Sequence, residues 1–128
     1  MITLYGPVTT PASTGGAGAS AATKVTSDII SGLVHGIVVQ YNDAPPAGTT
    51  DVGIKTKGQS GVLPSVPLLT ITNAATNGYF APRTACVTAS KAAITDSYAP
   101  FVVNEYIQID LAGANDGDSV TVWLFLER

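Results

Sequence analysis

Apolar and polar residues alternate in short runs along most of the chain, from Lys24 onward. In the stretch from Leu33 to Tyr41, the side chains of Leu33, Ile37 and Val39 recur with a period of two and share one face with Tyr41. A period of two places alternate side chains on opposite sides of a β-strand, so this pattern predicts a half-buried strand. His35 falls on the same predicted face.

Four further runs show a strand-like pattern and predict four more strands. Their apolar or inward positions are Val52, Ile54 and Thr56; Leu68, Leu69 and Ile71; Val103, Glu105, Ile107 and Ile109; and Val120, Val122, Leu124 and Leu126. The last run also carries Trp123 and Phe125 on its opposite face. It is therefore expected to be a central strand that is covered on both sides, or one that packs against a neighbouring subunit.

Turn residues separate these runs, and no long segment keeps a helical period without a breaker. Glycine, proline and asparagine cluster in four segments, which are Ala44–Gly48, Gly58–Gly61, Asn73–Gly78 and Gly113–Gly117. Such clusters supply the backbone conformations that turns need. Short strands with regular turn signals predict an all-β protein, a jelly-roll-like sandwich or barrel of about eight strands.

The N-terminal segment differs from the rest of the chain. Residues Pro11–Thr23 are small, uncharged and rich in glycine, which is typical of a flexible linker. The segment Met1–Thr10 before it is more apolar. We therefore predict a flexible N-terminal arm over residues 1–23 and a β-sandwich domain over 24–128. The alternative is that the first ten residues form an ordinary edge strand of the same domain.

Composition narrows the function classes. Apolar residues make up 45% of the 128 residues, but charged residues make up only 12%, about half the usual share. A surface that is hidden in an assembly needs little charge, and a surface rich in Thr, Ser and Asn is the other explanation. The net charge of −3 without a basic cluster predicts no nucleic-acid and no membrane partner.

The sequence also predicts no disulfide bond, no signal peptide and no membrane helix. Cys86 is the single cysteine, so an intrachain disulfide is impossible. The first residues have neither the charged nor the apolar region of a signal peptide, and no apolar run reaches membrane-helix length. We expect synthesis in the host cytoplasm without export.

No residue pattern predicts catalysis. His35 is the single histidine, and nothing around it suggests a nucleophile or an orienting partner. Cys86 lies beside alanine and valine, with Arg83 on the opposite face, and is expected to be a small buried thiol. Motifs for a nucleophile elbow, a phosphate loop or a zinc helix are missing from the sequence. We expect no enzyme activity and no cofactor.

An acidic cluster surrounds the AsnAspGlyAsp tract near the C-terminus. Asp110, Asp116 and Asp118 together offer the oxygen ligands that calcium prefers. The tract lacks the spaced ladder and the distal glutamate of an EF-hand, and Asp-Gly is a common hairpin turn pair. A turn and a calcium site are both compatible with this tract.

Aromatic and apolar residues are the best candidates for a partner surface. Tyr, Trp and Arg are enriched at the centres of interfaces, although aromatic residues also fill cores. The predicted interface residues are Leu4, Tyr5, Val8, Tyr79, Phe80, Arg83 and Trp123.

Three stretches, taken together and in order, resemble the capsid decoration (cement) proteins of tailed bacteriophages. They are Tyr41–Val52, Leu68–Arg83 and Ala114–Glu127, and the resemblance covers roughly Ile30 to Glu127. It implies a β-rich protein, a homotrimer that sits on the outer capsid surface of a virion. There it would bind and cement neighbouring subunits of the major capsid protein.

A second function class stays open beside this one. Jelly-roll folds also serve as carbohydrate- or receptor-binding modules, here of a virion spike or tail. An exposed aromatic platform would favour such a module over a cement protein. An enzyme of unrecognised type is the third alternative.

Overall fold

The computed structural model describes residues 1–42, 47–73 and 76–128. The predicted turns at Ala44–Gly48 and Asn73–Gly78 lie partly outside these residues. The described residues contain no helix, and so none that could cross a membrane. Their strands are β1 (Ile2–Thr9), β2 (Ser20–Val25), β3 (Ile30–Tyr41), β4 (Asp51–Thr56), β5 (Pro67–Ile71), β6 (Gly78–Phe80), β7 (Thr84–Val87), β8 (Ala93–Ala99), β9 (Phe101–Glu105), β10 (Ile107–Ala114) and β11 (Val120–Glu127).

Nine of these strands form two antiparallel sheets. The first sheet has the order β1-β11-β3-β6, and β9 pairs with β3 as well. The second has the order β2-β10-β4-β5. The sheets bury one continuous apolar core, formed mainly by β3, β4, β10 and β11. The predicted all-β, jelly-roll-like sandwich is confirmed.

The last strand alternates as its pattern predicted and lies inside its sheet. The side chains of Val120, Val122, Leu124 and Leu126 are fully buried, whereas Trp123 and Phe125 point to the other side of the sheet. Since β11 pairs with β1 on one edge and with β3 on the other, it is a central strand of its sheet.

The predicted face of β3 is wrong at its beginning. Phe125 pairs with Gly36 and Leu126 pairs with Val34, so His35 is an extra residue in the ladder. Such a β-bulge shifts the alternation by one residue. As a result Val34 is buried and Leu33 is only half-buried, and Leu33 does not share the face of Ile37.

The N-terminal segment is part of the sandwich rather than a flexible arm. β1 pairs with β11 and β2 pairs with β10, so the predicted boundary after Thr23 falls inside a strand. The linker between them is hydrogen-bonded too, since the Ser13 amide donates to the Asp118 carbonyl at 2.7 Å. Backbone pairing orders this segment although its small side chains bury little apolar area. The alternative of an edge strand is the one that the structure supports.

The β7–β8 hairpin stands apart from both sheets. Its two strands pair with each other and, within the described residues, with no other strand. Cys86 lies on β7 and is half-exposed, which corrects the prediction of a buried thiol. An isolated hairpin has no second layer under which a thiol could be buried.

Candidate binding face

The outward side of the first sheet carries a cluster of large apolar side chains. β11 contributes Trp123 and Phe125, which face outward because their neighbours along the strand point into the core. Across the ladders, Leu4 of β1 lies opposite Phe125, and Val38 of β3 lies opposite Trp123. Tyr79 of β6 continues the row beyond Val38. We call these five residues the aromatic face.

The hydroxyl end of the Tyr79 ring lies over a glycine of the neighbouring strand. A Cβ built on Gly36 would lie 2.7 Å from both Cε2 and Cζ of the Tyr79 ring, closer than real Cβ atoms come. The ring therefore occupies the space that any other residue at position 36 would fill. Gly36 itself is buried, whereas Tyr79 is 61% exposed. The hydroxyl end of the ring thus lies over Gly36, and much of the side chain is open to solvent.

Phe125 fixes the Tyr79 ring from the side. The two ring centroids are 5.8 Å apart, and the ring planes meet at 70°. Such edge-to-face pairs are favourable because the positive edge of one ring meets the negative face of the other. Tyr79 is therefore held both from below and from the side.

Trp123 makes a similar contact on the same side of the sheet, toward β1. A Cβ built on Gly6 of β1 would lie 3.1 Å from Cδ1 of the indole. The indole thus also lies beside a glycine, at the bulge where the β1 ladder shifts register. Gly36 of β3 and Gly6 of β1 thus leave space for the rings of Tyr79 and Trp123 close to the backbone of the sheet.

Polar groups border the aromatic face at both ends. At one end His35 Nε2 lies 3.4 Å from Glu127 Oε2, and the exposed Arg83 donates to the His35 carbonyl at 3.2 Å. At the other end the hydroxyls of Thr9 and Thr121 are hydrogen-bonded at 2.9 Å. The face therefore offers an apolar centre and hydrogen-bonding groups at its rim.

The predicted interface residues divide into two groups. Leu4, Tyr79 and Trp123 come together on the aromatic face, with Arg83 at its rim. The side chains of Tyr5, Val8 and Phe80 instead pack against the buried core. The strand alternation explains this division, because each of these three pairs with a core residue of the neighbouring strand. A partner role for any of them stays a prediction.

Three residues that form or underlie this face are not among the predicted interface residues. Phe125 is one of them, although the alternation of β11 alone puts it on the same side as Trp123. Alternation in β3 also turns Val38 away from the core. Its position beside Tyr79, and that of Gly36 under the ring, depend on the pairing of β3 with β6, which joins residues about 40 positions apart in the chain.

Asp110 and Asp118, two of the three acidic candidates, have separate roles. Asp118 is buried, and its Oδ2 accepts a hydrogen bond from the Asn115 amide at 3.0 Å, which closes a tight turn. Asp110 lies on β10, with Lys55 Nζ 3.3 Å from its Oδ2. In the described part of the chain, which includes Asp116, no group of three or more acidic, His or Cys side chains could hold a metal ion. The tract forms a turn, in which the Asp118 amide also donates to the Asn115 carbonyl at 3.1 Å.

Asp110 is held in its charged form. Burial by itself would raise the pKa of this carboxyl, but hydrogen bonds from Gln108 and Thr23 and the ammonium of Lys55 outweigh it and lower the pKa below its usual value. The Thr23 hydroxyl and the Gln108 amide each lie 2.9 Å from Oδ1. The group links β2, β10 and β4 across the outer side of the second sheet.

Comparison with known proteins gives structural neighbours only. No protein-family model matches the chain, and no curated protein sequence matches it. A mutant of the family 29 carbohydrate-binding module CBM29-2 aligns with 100% of this chain and 80% of its own, at 10% identity and a TM-score of 0.41. The galactose-bound family 32 carbohydrate-binding module of C. perfringens NanJ aligns with 97% of this chain and 93% of its own, at 10% identity and a TM-score of 0.40. The enzymatically active domain of bacteriophage CBA120 tailspike protein 4 aligns over 98% of this chain but 18% of its own, at 14% identity and a TM-score of 0.37.

Proposed function

We propose that this protein is a non-catalytic carbohydrate-binding module that holds sugar rings on its aromatic face. The observation that carries the proposal is the Tyr79 ring, which lies on Gly36 and turns its exposed surface to solvent. The apolar side of a pyranose ring is flat and matches such a surface. Aromatic side chains suit this role because they combine a large apolar area with few rotatable bonds.

The fixed position of the ring favours binding. A side chain that must be ordered on association loses conformational freedom, at a cost of roughly 0.5–1.5 kcal/mol. Contacts with Gly36 and Phe125 already hold Tyr79 in the free protein. Most of that cost is therefore absent when a ligand stacks on the ring.

The rim supplies what sugar hydroxyls require. Arg83 is exposed and offers N–H donors, while Glu127 and Thr121 are half-exposed and offer oxygen atoms. Binding sites of this kind combine an apolar floor with a few polar groups that set orientation. An open face of this shape predicts weak binding of a single sugar unit. Several such faces that bind one glycan surface at the same time would bind it more tightly.

A glycan array tests the proposal. We expect the protein to bind a subset of neutral oligosaccharides on the array and Tyr79→Ala to lose that binding. Tyr106→Ala is the matched control, because Tyr106 is also exposed but lies outside the aromatic face. Failure of the wild-type protein to bind any glycan, or equal loss in both variants, would contradict the proposal.

A virion decoration protein is the second candidate, and the aliphatic side chains of the same sheet favour it. Ile2, Leu4 and Val102 are exposed on the outward side of the first sheet. The buried centre of a protein interface is more apolar than the rest of the surface, and exposed aliphatic side chains suit it. In this role the protein would be a homotrimer that cements subunits of the major capsid protein on the outer surface of a phage head.

Co-sedimentation distinguishes the two candidates. Purified expanded phage heads without their own decoration protein are mixed with the protein and pelleted. Saturable binding that Leu4→Asp abolishes, together with a blank glycan array, would favour the decoration role. Glycan binding without capsid binding would favour the carbohydrate module.

A further inference from the structure

The β7–β8 hairpin exposes apolar side chains that its own chain does not cover. No residue from Thr84 to Ala99 is buried. Three large apolar residues on it are exposed, namely Val87, Ile94 and Tyr98, and Tyr98 reaches 65%. An isolated two-stranded hairpin is at best marginally stable in water. A hairpin of this composition is expected to be ordered by contact with another surface.

A groove that could receive such a hairpin lies along β9, the strand that follows the hairpin in the chain. It has a volume of about 420 Å³ and runs between β9 and the loop that joins β4 to β5. We call it the β9 groove, and its lining residues are Thr56, Leu63, Pro64, Val66, Val102, Val103, Asn104 and Glu105. Leu63, Val66 and Val102 are large apolar residues that remain exposed there, and Val102 reaches 78%.

The charge at the hairpin tip and the length of β8 are compatible with docking of the hairpin in the β9 groove. Lys91 lies at the hairpin tip, where its amide donates to the Thr88 carbonyl at 2.9 Å. Of the described residues that line the β9 groove, only Glu105 is charged. Its sign is opposite to that of Lys91 at the tip, whereas the hairpin's other charged residue, Asp96, lies in β8 and away from the tip. β8 has seven residues, so it spans about 23 Å at roughly 3.3 Å per residue. That is long enough to reach a neighbouring molecule.

We propose that the hairpin of one copy docks in the β9 groove of a second copy. Each molecule carries one hairpin and one groove, so the contact joins two different surfaces. Contacts of this head-to-tail kind generate closed rings or open chains, rather than dimers alone. The low content of charged residues is compatible with a surface that is partly hidden by other copies. Such an assembly would also present several aromatic faces at once.

The test is the native mass of the full chain, measured by light scattering after size exclusion. We expect a multiple of the 13.0 kDa chain. Tyr98→Asp, in the hairpin, and Val102→Asp, in the groove, should each reduce the mass to that of one chain. Ile29→Asp is the control, because Ile29 is also an exposed aliphatic residue but belongs to neither surface. Its mass should equal that of the wild type.

Mixing the two variants gives a sharper result. Tyr98→Asp retains an intact groove and Val102→Asp retains an intact hairpin, so the mixture should form particles of twice the 13.0 kDa chain mass and no larger. A contact between identical patches would not be rescued in this way. Far-UV circular dichroism verifies that both variants fold.

Three results would overturn the proposal: a single-chain mass for the wild type, a mixture that stays monomeric, or an Ile29→Asp variant that dissociates as well. Glycan binding is independent of these outcomes, because Tyr79→Ala should leave the mass unchanged. The failure of one proposal is therefore distinguishable from the failure of the other.

Discussion

The ring of Tyr79 covers the backbone of Gly36 on the neighbouring strand. No other residue at position 36 leaves room for it, since a Cβ there would lie 2.7 Å from two ring atoms. This contact makes the aromatic face low and open, with Phe125 beside the ring. The proposed function depends on this arrangement more than on any single polar group.

Gly36→Ala should weaken ligand binding without unfolding the protein. The added methyl group displaces the Tyr79 ring, and we expect an affinity loss of about tenfold, roughly 1.4 kcal/mol. Isothermal titration with an oligosaccharide selected on the array measures it. Gly53→Ala is the control, because Gly53 also lies within a strand but a Cβ there meets nothing within 4 Å. Equal affinity in all three proteins would contradict this role of Gly36.

Removal of residues 1–10 should unfold the sandwich or strongly destabilise it. β1 completes one edge of the first sheet, and the side chains of Tyr5 and Val8 pack against the core. Their loss exposes apolar surface, and each such side chain contributes about 1.5–3 kcal/mol when fully buried. Urea unfolding followed by circular dichroism measures the change. A truncated protein with an unchanged midpoint would restore the flexible-arm interpretation.

The sequence predicts most of this fold but less of the site, and particular residues show why. Strict alternation in β11 assigns Leu124 inward and Phe125 outward correctly, because no bulge interrupts that strand. In β3 the extra residue His35 shifts the alternation, and nothing in the local pattern marks it. Glycine-rich composition suggested a mobile arm, whereas backbone pairing with β10 orders it. The position of Tyr79 over Gly36 depends on long-range pairing that local patterns do not contain.

Leu124→Ala should destabilise the fold by about 2–5 kcal/mol. Leu124 is 1% exposed in the centre of the first sheet, so its truncation leaves a cavity under both neighbouring strands. Val62→Ala is the control, because Val62 is exposed in a loop and its loss should change stability by less than about 0.5 kcal/mol. Denaturant midpoints for the two variants measure the difference. Similar midpoints for Leu124→Ala and Val62→Ala would show that Leu124 is not part of the buried core.

Asp110→Asn should reduce stability near neutral pH and matter less in acid. The folded state lowers the pKa of Asp110 below its usual value of 3.8, so the folded protein favours the carboxylate. This stabilisation is present above pH 3.8 and is lost as the pH falls through the lower folded-state pKa. Melting temperatures of wild type and variant should therefore differ at about pH 6 and converge toward about pH 2. A constant difference would show that the charge is not responsible.

Calcium should not stabilise the protein. The Asp118 carboxylate already accepts the Asn115 amide, and the Asp110 carboxylate already faces Lys55. We expect the melting temperature to be unchanged by calcium at about millimolar concentration, in the range that weak extracellular sites require. Magnesium at the same concentration controls for ionic strength. A rise with calcium alone would indicate a site in the acidic tract.

The fluorescence of Trp123 tests directly whether carbohydrate binds on the aromatic face. It is the single tryptophan of the chain and lies on the aromatic face, so its emission reports on that face alone. We expect a saturable change in emission when a soluble oligosaccharide selected on the glycan array is titrated in, and no change in Tyr79→Ala. Binding by calorimetry that leaves the Trp123 emission unchanged, or an identical titration in Tyr79→Ala, would show that the aromatic face is not the binding site.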